Sequence, residues 1–135
     1  MKLIVGNKSD SHWGIDGDYI KIYKPVYLGN KEKVSEEFSI YSIQYIEMYW
    51  KKTQMTGTVT GQLAHIAFFK FVSDTKNYEF PCNTGVSRKE LLEAIEYFQR
   101  MNIEIRDEYH LIAGFKDPNI GMWEYIDKIT KDDKN

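Results

Sequence analysis

The sequence predicts a sheet-rich α+β domain, and three observations carry that expectation. Several segments alternate apolar and polar residues with period two, the mark of half-buried strands. Aromatic residues make up 15% of the chain, ten of them Tyr, and such rings suit pleated surfaces better than helix interiors. A single strongly amphipathic stretch at 87–102 follows the strands, which places a helix against one face or end of an antiparallel sheet. At 135 residues the chain has the length of one ordinary domain. Its expected parts are an N-terminal strand and loop (1–16), a core (17–103) and a C-terminal extension (104–135).

Along the chain, a short apolar opening leads into Asn7–Gly17, which is rich in Gly, Asp, Ser and Asn and predicts an irregular loop pinned by Trp13. Asp18–Pro25 alternates, with Ile20 and Ile22 on one face, and Pro25 ends it. Val26–Leu28 predicts a short strand and Gly29–Glu37 a polar loop. Ile43–Lys51 alternates with large groups on both faces, predicting a strand covered on both sides. The Thr53–Gly61 stretch suits a turn. Leu63–Val72, with Phe68, Phe69 and Phe71, predicts a central strand, and Tyr78, Phe80 and Cys82 predict a short edge strand broken by Pro81.

Ser87 and Glu90 stand at capping-box spacing. Behind them Leu91, Leu92, Ala94, Ile95, Phe98 and Met101 recur at three and four, giving a wide apolar stripe, and Asn102 is the expected stop. Asp117-Pro118 predicts the start of a short C-terminal helix over 118–130, with Ile120, Trp123, Ile126 and Ile129 at spacing three.

This order of short strands and a closing helix resembles the bacterial pleckstrin-homology-like domains. The resemblance rests on Asp18–Tyr23, Phe38–Glu47, His65–Phe71, Tyr78–Phe80 and the helix Ser87–Met101, within about residues 17–103. It implies an antiparallel, curved sheet or partly open barrel, plugged by the helix so that Leu91, Ile95 and Phe98 pack on Ile20 or Ile22 and Phe69 or Phe71. It also implies an interaction module. Phosphoinositide-binding members cluster basic residues between their first two strands, and here that region holds Lys24, Lys31 and Lys33 among Glu32, Glu36 and Glu37.

Composition narrows the function classes. Lys and Arg number 18 against 20 Asp and Glu, and the pI is about 5.9, so no global positive field gathers nucleic acid and no nucleic-acid partner is expected. Cys82 is the single cysteine, so no internal disulfide forms and a cytoplasmic location is the expectation. The N-terminal apolar run is too short for a signal peptide.

No catalytic set appears. His12, His65 and His110 lack a second ligand at metal-binding spacing, Cys82 lies in an alternating apolar strand, and the Gly57–Gly61 stretch has Gln62 where a phosphate loop carries Lys. Trp50, Lys51 and Lys52 with Tyr45 and Tyr49 form one basic-aromatic cluster, more consistent with strand filling than with base stacking.

The leading expectation is a non-enzymatic module binding a protein or peptide partner at a sheet edge or beside the helix, with no cofactor. One alternative is contact with anionic membrane lipid through Lys21, Lys24, Lys31 and Lys33. Another is a small enzyme or metal-binding protein using Asp10, His12 and Asp16. Spare aromatics, Trp123 among them, also fit a homodimer.

Overall fold

In the computed structural model the described residues are 1–27, 31–54, 63–82 and 88–133. Among these residues eight strands and three helices make an α+β architecture of two sheets. The strands are β1 (Lys2–Val5), β2 (His12–Asp16), β3 (Tyr19–Tyr23), β4 (Val34–Ser39), β5 (Ile43–Gln54), β6 (Leu63–Ser73), β7 (Asn77–Pro81) and β8 (Ile105–Arg106). The helices are α1 (Arg88–Arg100), α2 (Leu111–Lys116) and α3 (Met122–Asp133).

The first sheet is an antiparallel meander, β1-β2-β3-β4, in which Trp13 stands opposite both Val5 and Ile22. The second has the order β7-β6-β5-β8 and is mixed, because β8 runs parallel to β5. A 3-10 turn at Ile40–Ser42 carries the chain from one sheet to the other. Among the described residues the sheets do not close into a barrel. Their β4 and β7 edges are instead joined through side chains. The Phe38 ring stacks on Tyr78 at 4.8 Å, and Glu36 accepts hydrogen bonds from Lys76 Nζ and the Tyr78 hydroxyl, both at 2.7 Å.

The core lies between the sheets and under α1. Trp13 stacks on Phe69 with centroids 5.1 Å apart, and Phe98 from α1 stands 5.9 Å from Phe71 and 6.3 Å from Phe69. Leu91, Ala94, Ile95 and Phe98 are the buried stripe of α1, and Ile20 and Ile22 belong to the same apolar cluster. The expected packing of this helix on Phe69 and Phe71 is therefore present. Asn102 ends the helix with φ 61°, the left-handed conformation that Asn tolerates at a C-terminus.

Several local expectations are corrected. His12–Asp16 is a strand rather than loop, since four of its five residues are buried and burial on both faces leaves no alternation to see. Val34–Ser39 is an edge strand, exposed over its first four positions, so its polar sequence reflects solvent and not a loop. Val26 and Tyr27 are not in a strand. The last helix begins at Met122, not at Pro118: Asp117 Oδ1 accepts the Asn119 N–H at 2.9 Å in a turn before it. Its buried positions are Met122 and Ile126, whereas Trp123 is 41% exposed. The cap at Ser87, Leu28 and the Gly57–Gly61 stretch lie outside the described residues.

Candidate functional site

The β1–β2 loop is built around His12. Gly6 has φ 114°, and a Cβ there would stand 2.9 Å from His12 Cβ, so glycine permits both the turn and the close approach. His12 is 1% exposed. Its Nδ1 lies 2.9 Å from the Asp10 carbonyl and its Nε2 2.9 Å from Glu32 Oε1, with the ring stacked on Tyr23. Both nitrogens thus face protein oxygens at hydrogen-bond distance, and neither is turned to an open coordination position.

Asp16 sits at the far end of β2, where Lys21 Nζ donates to it at 2.9 Å. That hydrogen bond holds the Asp16 carboxyl below, and the Lys21 ammonium above, their ordinary ranges. Asp10, His12 and Asp16 are consequently not brought together. Among the described residues no group of three or more His, Cys, Asp or Glu is arranged to hold a metal ion. Cys82 is buried, and burial pushes its thiol pKa up, away from the thiolate a nucleophile requires. His110 precedes α2 in a left-handed conformation, and Asp107 caps that helix by accepting the Leu111 and Ile112 N–H groups at 2.7 and 2.9 Å.

The lysines are sorted by the fold. Lys21 is consumed by Asp16 on the sheet surface. Lys24, Lys31 and Lys33 instead surround a shallow hollow of about 340 Å³ with Pro25 and the 67% exposed Tyr27. The carboxylates interleaved with them in sequence turn elsewhere. Glu32 points in to His12, and Glu36 crosses to Lys76 and Tyr78.

A second surface lies along β5. This strand pairs with β6 over its whole length, from Ile43↔Ser73 to Gln54↔Leu63, but with β8 only at Ile46↔Ile105 and Glu47↔Arg106. The Ile46 N–H donates to the Glu104 carbonyl at 2.8 Å, which fixes the parity of the strand. Met48, Trp50 and Lys52 must therefore aim their N–H and C=O groups away from β6. From Met48 onward that edge has no strand partner among the described residues.

After Arg106 the chain turns away from the edge and opens a groove of about 450 Å³, lined by Met48, Trp50, Arg106, Glu108 and Tyr109 among others. The buried Trp50 Nε1 has no hydrogen-bond partner there. Tyr109 and His65 stand edge-on to the Trp50 ring at 5.7 and 5.1 Å. On the opposite face Lys51 pairs with Glu79 at 2.8 Å and lies 4.5 Å from the Phe68 ring centroid, so the basic-aromatic cluster is partly strand filling.

No family model, curated protein or solved structure matches the chain. Function has to follow from these surfaces. Among the described residues no helix is long and apolar enough to cross a membrane. Sequence reasoning missed the open edge because it is a property of pairing. The one available signal was that the alternating segment at 43–51 was long, whereas no equally long strand stood ready to cover its second side.

Proposed function

We propose that the chain is a non-enzymatic interaction module that takes an extended peptide segment of a protein partner as an added strand along β5. The observation that carries this reading is the edge of β5 away from β6, which among the described residues has no strand partner from Met48 onward, and along which Met48, Trp50 and Lys52 offer outward N–H and C=O groups to a partner. The groove beside it would receive alternate side chains of that segment.

The element order agrees with a pleckstrin-homology-like module: four antiparallel strands, three more, then an amphipathic helix against the core. The test is selection of displayed random peptides on the folded protein, followed by measurement of the best binder against Lys52→Pro. That substitution removes an outward N–H without touching the β6 ladder. Loss of binding with the melting temperature retained is expected, and unchanged affinity would overturn the reading. Self-association of the chain through this edge would appear as a dimer in light scattering.

A second reading is favoured by a separate observation. With Glu32 and Glu36 turned away, Lys24, Lys31 and Lys33 face solvent around Tyr27 without a described ion pair. An anionic membrane surface would gain roughly 1 kcal/mol per lysine there. Lys21 does not belong to that set.

A further inference from the structure

A cleft of about 420 Å³ separates the β1–β2 loop from the Phe80–Cys82 end of β7 and the start of α3. It shares no residue with the β5 groove or the lysine hollow. One wall is polar, formed by Asn7, Ser9 and Asp10; the other is apolar and aromatic, formed chiefly by Trp13, Phe80 and Trp123. This volume falls in the range of sites for small molecules.

The charge at this cleft is one-sided. Asp10 is the only Asp, Glu, Lys or Arg among the described residues lining it. Its backbone N–H donates to the Asn7 carbonyl at 3.0 Å and its carbonyl meets His12 Nδ1, whereas its carboxylate has no hydrogen bond or ion pair among the described residues. His12 also lines the cleft, but both ring nitrogens are taken.

Across the cleft Trp123 is 41% exposed although Met122 beside it is 4% exposed. Its indole is therefore presented at the cleft and not spent on the core. An exposed carboxylate and the exposed indole of Trp123 lining one cleft are complementary to an organic cation. The carboxylate supplies the counter-charge, and the Trp123 ring offers its negative face to the positive centre, while Trp13, stacked on Phe69, and the buried Phe80 supply apolar wall. Asp10 is exposed to water, so a neutral ligand gains nothing from its charge, and an anion would be repelled.

The polar wall is also held in place. The Ser9 N–H donates to Asn7 Oδ1 at 3.0 Å, and the Val26 N–H donates to the Lys8 carbonyl at 2.7 Å. Little ordering is then left for the ligand to impose.

From this geometry we propose that the cleft binds a small organic cation, a protonated amine or quaternary ammonium with an apolar body, its charge on Asp10 and its body against Trp123. The proposal is independent of strand addition at β5.

The test titrates the full chain with benzyltrimethylammonium, benzyl alcohol and benzoate, read by tryptophan fluorescence and calorimetry. The cation should bind saturably and at least roughly tenfold more tightly than the other two. Asp10→Asn and Trp123→Ala, both surface changes, should each weaken it by roughly tenfold with the melting temperature kept. Equal binding of the three probes, no binding of the cation, or wild-type affinity in either folded variant would overturn the proposal.

Discussion

The Trp13 indole, from the first sheet, lies nearly parallel to the Phe69 ring, from the second, with centroids 5.1 Å apart and planes 13° from each other. Both side chains are buried, and Phe98 of α1 approaches the same pair, with its centroid 6.1 Å from Trp13. Three elements distant in sequence thus share one aromatic cluster. The sheets meet directly here, and the helix closes a third side of the contact.

Truncation of that cluster gives the first prediction. Phe98 is fully buried, so Phe98→Ala removes apolar contact and leaves a cavity between the sheets, at a cost of about 3–5 kcal/mol. Guanidinium denaturation measures it. A midpoint close to that of the wild type would mean that α1 does not close the core.

Acid stability should depend on Glu36. The hydrogen bonds from Lys76 and Tyr78 hold its carboxyl below the ordinary 4.5. A carboxylate with a depressed folded pKa stabilises fully above its unfolded value and loses that contribution as pH falls through the folded one. Urea denaturation from neutral pH down through that window should show the wild type losing its advantage over Glu36→Gln. A pH-independent difference between the two would contradict the assignment.

Two glycines with positive φ should respond differently to alanine. At Gly6, φ 114° combines with a Cβ position 2.9 Å from His12 Cβ, whereas at Gly17, φ 61°, no atom stands within 4 Å. Gly17→Ala should cost roughly 1–2 kcal/mol from backbone conformation alone, and Gly6→Ala distinctly more. Thermal unfolding ranks them, and equal losses would argue against the tight loop around His12.

The lysine hollow makes its own forecast. Reversing Lys24, Lys31 and Lys33 to Glu should abolish sedimentation with anionic vesicles and leave neutral-vesicle behaviour unchanged, because each lysine adds roughly 1 kcal/mol at such a surface. Lys21→Glu, by contrast, should matter little to vesicles, since Lys21 is already paired with Asp16. If the wild type fails to distinguish anionic from neutral vesicles, the lipid reading is lost.

Legibility in the sequence followed burial pattern. β7 and α1 could be read because one face of each differs from the other, as in the stripe Leu91, Ala94, Ile95 and Phe98, whereas β5 and β6 were legible from long runs of large apolar and aromatic residues, those of β6 being buried on both faces at Ile66–Phe69. β2 could not, because His12, Trp13, Gly14 and Ile15 are all buried, nor could β4, whose Val34–Glu37 is all exposed; neither leaves a period. Trp123 shares its spacing with Ile126, yet it is exposed, and Met122 and Ile126 are the residues that dock.

The candidate sites divided in the same way. Residue type singled out Lys24, Lys31 and Lys33, but only the fold shows that Glu32 and Glu36 leave them. Similarly, apart from the length of its alternating segment the side-chain sequence does not mark the β5 edge, since the groups left open there are backbone.

The central claim, strand addition at β5, is tested most directly by backbone amide NMR on the protein saturated with a selected peptide. The account predicts that the N–H groups of Met48, Trp50 and Lys52 shift downfield and become protected from exchange, while those of Tyr49 and Lys51, already paired with β6, change little. Perturbation confined to residues 24–33, or an absence of this odd–even pattern along β5, would contradict it.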